Sequence, residues 1–225
     1  MSTQEERNKI LRKHHYRWQK IRGKWILLGP DGWRTTEEEA EQIIQRAGEP
    51  LAPQQWAQQM LEQHALILDT ETTGLDPARD EIIDIALVEL DGTVVLDTLV
   101  QCQGAVPAAV TKLYGISKEM LEGQPTFPEM WQQLSPHLTR PLVIYTAAYD
   151  IPMLAYGALR YHIRMARPVA HCLMAHYAEY QGGPDGSYQR LEIACQKLEI
   201  GIGAHRALSE AQAARQVLLH IAGSG

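Results

Sequence analysis

Two carboxylates stand close together in the run LILDTETTGLDP at residues 66–77. Asp69 and Glu71 are two residues apart, so an extended segment would point both side chains to the same face. Carboxylates held that close repel each other, and one would take up a proton unless a divalent cation lay between them. Oxygen ligands at a strand end suit Mg²⁺ or Mn²⁺ better than zinc. The alternative is a solvated acidic turn, because Asp-x-Glu alone is a common pattern.

Three further residues could complete such a site. Asp150 lies in IYTAAYDIPML, at a predicted strand-to-helix junction, where capping of the helix is the alternative role. His205 and Glu210 lie in GAHRALSEAQAA, the histidine on a glycine-containing loop and the acid early in a helix. A histidine on a loop beside metal-bound carboxylates suits a general base that deprotonates water. The alternative for His205 is an ordinary surface histidine.

The surrounding segments predict the strands that must position these residues. ALILD at 65–69 is an apolar run ending in an acid, which is typical of a buried central strand. The runs at 81–90 and 93–100 are joined by an Asp-Gly pair and predict a hairpin. PLVIYTAAY at 141–149 and PVAHCL at 168–173 predict the fourth and fifth strands.

Helical patterns alternate with the later strands. The order β-β-β-α-β-α-β-α predicts an α/β fold with a mixed five-stranded sheet flanked by helices. Ligands of such sheets bind at the carboxyl ends of central strands, and Asp69 stands at the end of the first one. Helices are expected at 107–113, 117–122, 127–138, 150–165 with Pro152 in the first turn, 173–181, 188–198 and 207–221.

We divide the chain into a small N-terminal appendage, residues 1–60, and a main domain, residues 61–225. The appendage is expected to hold a polar helix or arm at 1–14, a hairpin in 16–34, a helix at 36–47 with capping-box spacing, and a helix at 54–63. Tryptophans 18, 25 and 33 lie in the hairpin segment. We expect at least two of them to form a mini-core, since small modules need large apolar side chains; stacking on bases and docking of a partner are the alternatives.

Composition sets limits on the partners and the compartment. The net charge is −6, but residues 1–34 hold nine Lys and Arg against three acids. Such a basic arm could contact phosphates, while metal ions would reverse the charge of an acidic site. The chain's three cysteines, at 102, 172 and 195, have no metal or disulfide spacing and indicate a reducing, cytoplasmic location. No apolar run is long enough for a membrane span.

Residues 65–222 resemble the DnaQ-like (DEDDh) family of 3′-5′ exonucleases, of the proofreading epsilon-subunit type. The resemblance is carried by DTETTGL, YGIS, GQPTF, YTAAYD and HRALSEA, in that order, at residues 69–75, 114–117, 123–127, 145–150 and 205–211. It implies a ribonuclease H-like fold and two bound Mg²⁺ or Mn²⁺ ions. Asp69, Glu71, Asp150 and Glu210 would be the metal ligands, and His205 the general base.

The resemblance also suggests substrate contacts and shows two departures. Thr72 and Gly74 would form a turn that a substrate backbone approaches, Leu75 would wedge against the terminal base, and Tyr114 would lie beside the substrate strand. For Leu75 and Tyr114 the alternative is packing at the rim of the core. Thr146 would be a further substrate contact. The family has Asp where Glu210 stands and Asn where Thr146 stands.

The implied reaction is release of nucleoside 5′-monophosphates from 3′ ends of single-stranded DNA, in repair or proofreading. One alternative is an RNA-trimming 3′-5′ exoribonuclease with the same site, because contacts to a ribose 2′-hydroxyl are not evident in the sequence. The other is a catalytically weakened nucleic-acid-binding or docking protein, motivated by Glu210 and Thr146. Residues 1–60 are a candidate docking segment for a polymerase or repair protein.

Overall fold

The structure is a computed structural model that describes residues 3–21, 23–47, 50–182 and 187–224. Its strands are β1 (Arg17–Ile21), β2 (Lys24–Leu28), β3 (Arg34–Thr35), β4 (Leu66–Thr72), β5 (Ile82–Val88), β6 (Val94–Leu99), β7 (Leu142–Ile144) and β8 (Ala170–Cys172). The first three form an antiparallel sheet, and the other five form a sheet in the order β6-β5-β4-β7-β8. β4 pairs antiparallel with β5 and parallel with β7, so the predicted mixed five-stranded sheet is confirmed.

The helices are α1 (Gln4–Lys13), α2 (Glu37–Ala47), α3 (Pro53–Glu62), α4 (Ala108–Tyr114), α5 (Phe127–Leu134), α6 (Ala147–Arg160), α7 (Leu173–Tyr180), α8 (Leu191–Lys197) and α9 (Ala207–Ala222). The predicted capping box is present, since Thr36 Oγ1 accepts from Glu39 N and Glu39 Oε2 accepts from Thr36 N. Among the described residues, no helix combines the length and apolar character that crossing a bilayer requires.

Some predicted bounds are wrong. The fourth strand ends at Ile144, and α6 already begins at Ala147, because the two alanines there favour helix over strand. Pro152 is therefore inside α6 and not in its first turn. The helix predicted at 117–122 is a 3₁₀ turn, Glu119–Leu121. The helix predicted at 127–138 leaves the α conformation at Leu134, two residues before Pro136.

Alternation along β4 sorts its side chains onto the two faces of the sheet. Leu66 and Leu68 belong to the core cluster that α5 and α6 cover, whereas Ile67 belongs to the cluster that α3, α7 and α9 cover. Because side chains repeat every two residues in a strand, Asp69 and Glu71 follow Ile67 onto the α9 face. The strand therefore carries both acids toward α9, which packs against β4 and β5.

The appendage has a small core of its own, but it is not built from tryptophans. Leu11, Tyr16, Leu27 and Ala40 form that cluster. Trp18 and Trp25 are exposed, while Trp33 packs against the core of the main domain, so the expected tryptophan mini-core is wrong. Tyr16 and aliphatic side chains of α1, α2 and β2 fill this space instead.

Contacts join the appendage to the main domain. Asp31 pairs with Arg167 at 2.5 Å between carboxylate and guanidinium. Helix α3 crosses the predicted boundary at residue 60 and packs against α9, with Trp56 and Met60 in the core. The ends of the two predicted regions, residues 1–2 and 225, lie outside the described residues. All three cysteines are free and buried, as expected of small apolar side chains.

Candidate active site

Three carboxylates from two elements meet at the end of β4. Oxygen atoms of Asp69, Glu71 and Glu210 all lie within 4.8 Å of one another. Glu210 stands in the first turn of α9, on the face of the sheet to which β4 directs its two acids. The longer glutamate side chain therefore still reaches the cluster. The departure from the family's Asp does not remove this acid from the site.

Asp150 is the fourth acid of the cluster, and it does not cap a helix. It lies within α6, whose N-cap residue is Thr146. Its side chain is 3% exposed, and Oδ1 accepts from Thr70 N at 3.1 Å and from Thr70 Oγ1 at 2.7 Å. These two bonds fasten Asp150 to β4 between Asp69 and Glu71. The second carboxylate oxygen of Asp150 is not used by them.

The cluster is electrostatically costly without a cation. Burial, and then the charge of Asp150, raise the pKa of Asp69 well above its ordinary value. Burial, and then Glu210, raise the pKa of Glu71 to about 8. Burial also raises the pKa of Asp150 to about 7. Acids that share a buried site favour a proton or a metal ion over mutual repulsion.

One oxygen of this cluster has no hydrogen-bond partner among the described residues. Glu71 Oε1 is buried and unpaired, and the residue as a whole is only 5% exposed. Buried polar atoms are normally satisfied, so an orphaned carboxylate oxygen beside two other carboxylates fits a cation ligand. The donor set is oxygen only, which suits a hard divalent cation. The residues present therefore fit the metal group that the sequence implied.

His205 stands at the edge of this cluster. Its Nδ1 atom is 3.0 Å from Glu210 Oε1, and 40% of its side chain is exposed. This contact lowers the pKa of Glu210, although burial has the larger, opposite effect and the pKa is raised overall. One nitrogen of the ring therefore faces the carboxylate, and the side chain as a whole is partly open to solvent.

Asp84 is a positioning residue that the sequence did not single out. It is fully buried on β5, directly opposite Glu71 in the strand register. Its Oδ2 atom accepts from Arg206 Nε at 2.6 Å and from Ala207 N at 3.1 Å. The second bond satisfies a free N–H at the start of α9, where a negative charge is favourable. Asp84 thus fixes the helix that carries Glu210 and the loop that carries His205.

The turn after β4 is held by hydrogen bonds and packing within the protein. Thr72 Oγ1 and Tyr149 Oη both donate to Gly74 O, at 2.7 and 2.9 Å. A Cβ at Gly74 would lie 2.6 Å from a carboxylate oxygen of Asp80, so a larger residue there would have to displace that side chain. Thr72 and Gly74 therefore hold the turn and do not line the cleft. Leu75, at the tip of the turn, is 81% exposed.

The acids open into a cleft of about 610 Å³. Three predicted substrate-contacting residues line it, namely Leu75, Tyr114 and Thr146. Burial, and then the adjacent Glu71 carboxylate, raise the pKa of Tyr114, so its hydroxyl stays protonated and can donate.

Residues missed by the sequence analysis also line this cleft, among them Arg17, Gln19 and Arg190. Arg17 and Gln19 alternate on β1 of the appendage, and that period-two spacing was the available signal. The appendage therefore supplies part of the wall of the cleft, including one of its two arginines.

Comparison with known proteins shows which family this chain resembles. The RNase T family model, described as Exonuclease, matches residues 66–218. The chain is 32% identical over 170 residues to an uncharacterized exonuclease, CP81, of Escherichia phage 186, covering 69% of this chain and 87% of that protein. It is 28% identical over 160 residues to the DNA polymerase III subunit epsilon of Aquifex aeolicus (strain VF5), covering 69% and 79% respectively.

A solved structure shares the fold. The nuclease domain of 3′hExo, described as a DEDDh family member bound to rAMP, aligns with a TM-score of 0.57. The alignment has 13% identity and covers 71% of this chain and 90% of that one. This similarity shows the exonuclease form of the ribonuclease H-like fold. On the family match and the phage relative together, the chain belongs to the DnaQ-like exonuclease family.

Proposed function

We propose that this protein is a metal-dependent 3′-5′ exonuclease that releases nucleoside 5′-monophosphates from 3′ ends of single-stranded DNA. The observation that carries the proposal is the buried cluster of Asp69, Glu71 and Glu210, with Asp150 fastened beside it. The relative named as an epsilon subunit of DNA polymerase III supports DNA as the substrate class.

Asp69, Glu71 and Glu210 would hold two Mg²⁺ or Mn²⁺ ions, with the second carboxylate oxygen of Asp150 as a further ligand. Such ions supply activation of water and neutralisation of charge on the leaving 3′-oxygen. Glu71 contributes its unpaired Oε1 atom. Asp69 would supply a further oxygen ligand, because its carboxylate belongs to the same cluster.

His205 acts as the general base. With Nδ1–H donating to Glu210 Oε1, the lone pair of Nε2 is free to accept a proton from water. Water then attacks the terminal phosphorus in line, the bond from phosphorus to the 3′-oxygen breaks, and that oxygen takes up a proton. Glu210 orients the ring and stabilises the imidazolium that forms. The products are a nucleoside 5′-monophosphate and a strand shorter by one residue.

Substrate recognition follows from the cleft. Arg17 and Arg190 offer cationic groups for the phosphates of the strand, because guanidinium groups bind phosphate in a bidentate manner. Leu75 projects from its turn and would pack against the terminal base. The hydroxyls of Tyr114 and Thr146 lie on the cleft wall, where they can contact the backbone of the nucleotide.

An RNA 3′ end is the second candidate substrate, since the similar nuclease domain was solved with the ribonucleotide rAMP. A binding protein without activity is disfavoured, because Glu210 still joins the other acids and contacts His205.

The direction and the substrate are tested with matched single-stranded DNA and RNA oligonucleotides labelled at the 5′ end. We expect a ladder of stepwise shortened DNA products with Mg²⁺ or Mn²⁺, and 5′-monophosphates as the released nucleotides. If the RNA were shortened and the DNA were not, an RNA 3′ end would be the substrate. Immediate release of the labelled nucleotide, as 5′-3′ digestion gives, would overturn the proposed direction.

A further inference from the structure

A second group of metal-ligating side chains lies where the appendage meets α7, apart from the carboxylate cluster. His15 follows the end of α1, and His176 and Glu179 lie on α7. The two α7 residues are three apart, so they share one face of the helix. His15 belongs to the appendage by sequence, whereas the other two belong to the main domain. None of the three takes part in the proposed catalytic reaction.

The geometry of these side chains is that of an incomplete coordination site. One ligand atom from each of the three residues lies within 4.8 Å of the other two. His15 Nε2 is 2.9 Å from Glu179 Oε1. His15 Nε2 therefore has a carboxylate beside it, whereas His176 Nδ1 is buried with no hydrogen-bond partner among the described residues. An unsatisfied imidazole nitrogen in a buried place is costly, and a cation shared by the three side chains would remove that cost.

The neighbouring rings hold the histidines in place. Trp56 stacks on His176 with ring centroids 3.5 Å apart and planes inclined by 7°. His15 meets the His176 ring edge-on at 4.4 Å. His176 is only 8% exposed, so these neighbours enclose its ring. Rigid, buried imidazoles of this kind are ready to bind a metal without rearrangement of the backbone.

We infer that His15, His176 and Glu179 bind a divalent transition-metal ion with the ligand preference of Zn²⁺. Two imidazole nitrogens and one carboxylate form a known zinc donor set, with distances of about 2.0–2.2 Å from metal to ligand. Ligand atoms of a tetrahedral site with such bonds lie about 3.3–3.6 Å apart, so His15 Nε2 and Glu179 Oε1 would open slightly from their present 2.9 Å. Glu179 has 33% of its side chain exposed, which leaves room for water as a fourth ligand. Nitrogen donors disfavour Mg²⁺ and Ca²⁺ here.

The ion would fasten the appendage to the main domain. It ties residue 15 to α7, and Arg17 of the cleft wall lies only two residues further along the chain. Binding of the ion would therefore help to fix the position of β1, so the role of this metal site is structural. The inference does not depend on the proposed exonuclease activity.

The test measures Zn²⁺ binding in a full-length protein whose catalytic carboxylates are replaced, Asp69→Asn with Glu71→Gln, so that only the second site is counted. Retained Zn²⁺ is determined by elemental analysis after dialysis, and affinity by competition with a chromogenic chelator. We expect one equivalent per chain. His15→Gln and Glu179→Gln should each weaken Zn²⁺ binding by at least about 10–100-fold.

His137→Gln is the matched control, because His137 lies in the 3₁₀ turn Ser135–His137 after α5, on the other face of the sheet. It should keep the full equivalent of Zn²⁺. Glu179 is partly exposed, so its substitution is not expected to prevent folding, which far-ultraviolet circular dichroism checks. The inference would be overturned if the protein with Asp69→Asn and Glu71→Gln alone retained no Zn²⁺. Equal retention of Zn²⁺ after His15→Gln and after His137→Gln in that protein would also overturn it.

Discussion

At the scale of residues, the site depends on carboxylates that are buried, where a negative charge is unfavourable. Asp69, Glu71 and Asp150 are nearly inaccessible to solvent, and burial raises the pKa of each. Only a proton or a cation makes such a cluster tolerable. The site is therefore preorganised for metal at a cost to the stability of the metal-free protein.

This cost predicts a pH-dependent stability of the metal-free protein. The unfolded chain ionises Glu71 near its ordinary pKa of 4.5, whereas the folded chain keeps the proton up to about pH 8. The stabilising contribution is thus complete below pH 4.5 and is lost as the pH rises toward 8. Scanning calorimetry in EDTA should show a melting temperature that falls across this window.

Mn²⁺ should reverse that loss. We expect it to raise the melting temperature by several degrees more at pH 8 than at pH 5, with each kcal/mol worth about 2–4 °C in a chain of this size. The rise should shrink in Glu71→Gln. Equal shifts at both pH values would show that the ion binds elsewhere.

Glu210 gives a second prediction at this scale. Its carboxylate reaches both the other acids and His205 Nδ1. Shortening it in Glu210→Asp withdraws the carboxylate by roughly 1 Å, and such a displacement at a catalytic group costs about 100-fold in rate. We expect kcat to fall to that extent, while KM for DNA is nearly unchanged. An increase in kcat would mean that this chain functions better with the family's Asp.

At the scale of elements, α9 and β5 are joined through Asp84. Replacing it in Asp84→Asn removes a charge-assisted bond to Arg206 and weakens the bond to Ala207 N. Hydrogen bonds to charged groups are worth about 1.5–3 kcal/mol, so we expect a loss of about 2–3 kcal/mol in the free energy of unfolding by urea titration.

The same substitution should lower kcat, because the loop of His205 and the start of α9 lose their anchor. Asp91→Asn is the control, since Asp91 is exposed in the β5–β6 turn and bonds only to Thr93 N among the contacts described. Its stability and kcat should remain near those of the parent. If both variants behave alike, Asp84 is not a positioning residue.

Predictability from the sequence differs between these elements. The acids of β4 were predictable, because an apolar run and period-two spacing place them on one face. Asp84 was not, since its partner Arg206 is 122 residues away and an acid inside an apolar strand has no local signature. The end of the fourth strand was missed because YTAAY is compatible with both strand and helix. In the structure this segment begins a helix, which its alanines favour and which the contacts of Asp150 with Thr70 stabilise.

At the scale of the whole molecule, the appendage forms part of the wall of the candidate active-site cleft. Residues 1–60 lie outside the family resemblance, so no motif identified Arg17 and Gln19 as cleft residues. Only the docking of β1 on the main domain brings them there. The proposed division at residue 60, and a polymerase or repair partner for the appendage, stay predictions.

Arg17 provides a test of this arrangement. On single strands, each phosphate contact contributes about 0.7 to the slope of log affinity against log salt. In an Asp69→Asn background that prevents digestion, Arg17→Gln should weaken binding of single-stranded DNA and reduce the slope by that amount. Lys20→Gln is the control, because Lys20 is exposed on the opposite face of β1. Equal slopes for the two variants would exclude Arg17 from the phosphate path.

The central claim is that the carboxylate cluster is a metal-dependent exonuclease site. It is tested most directly by release of mononucleotide from 3′-labelled single-stranded DNA, comparing the parent, Glu71→Gln and the exposed control Glu122→Gln with Mn²⁺ and with EDTA. We predict rapid release by the parent and Glu122→Gln with Mn²⁺, at least about 100-fold slower release by Glu71→Gln, and none in EDTA. Undiminished release by Glu71→Gln, or release in EDTA, would contradict the account.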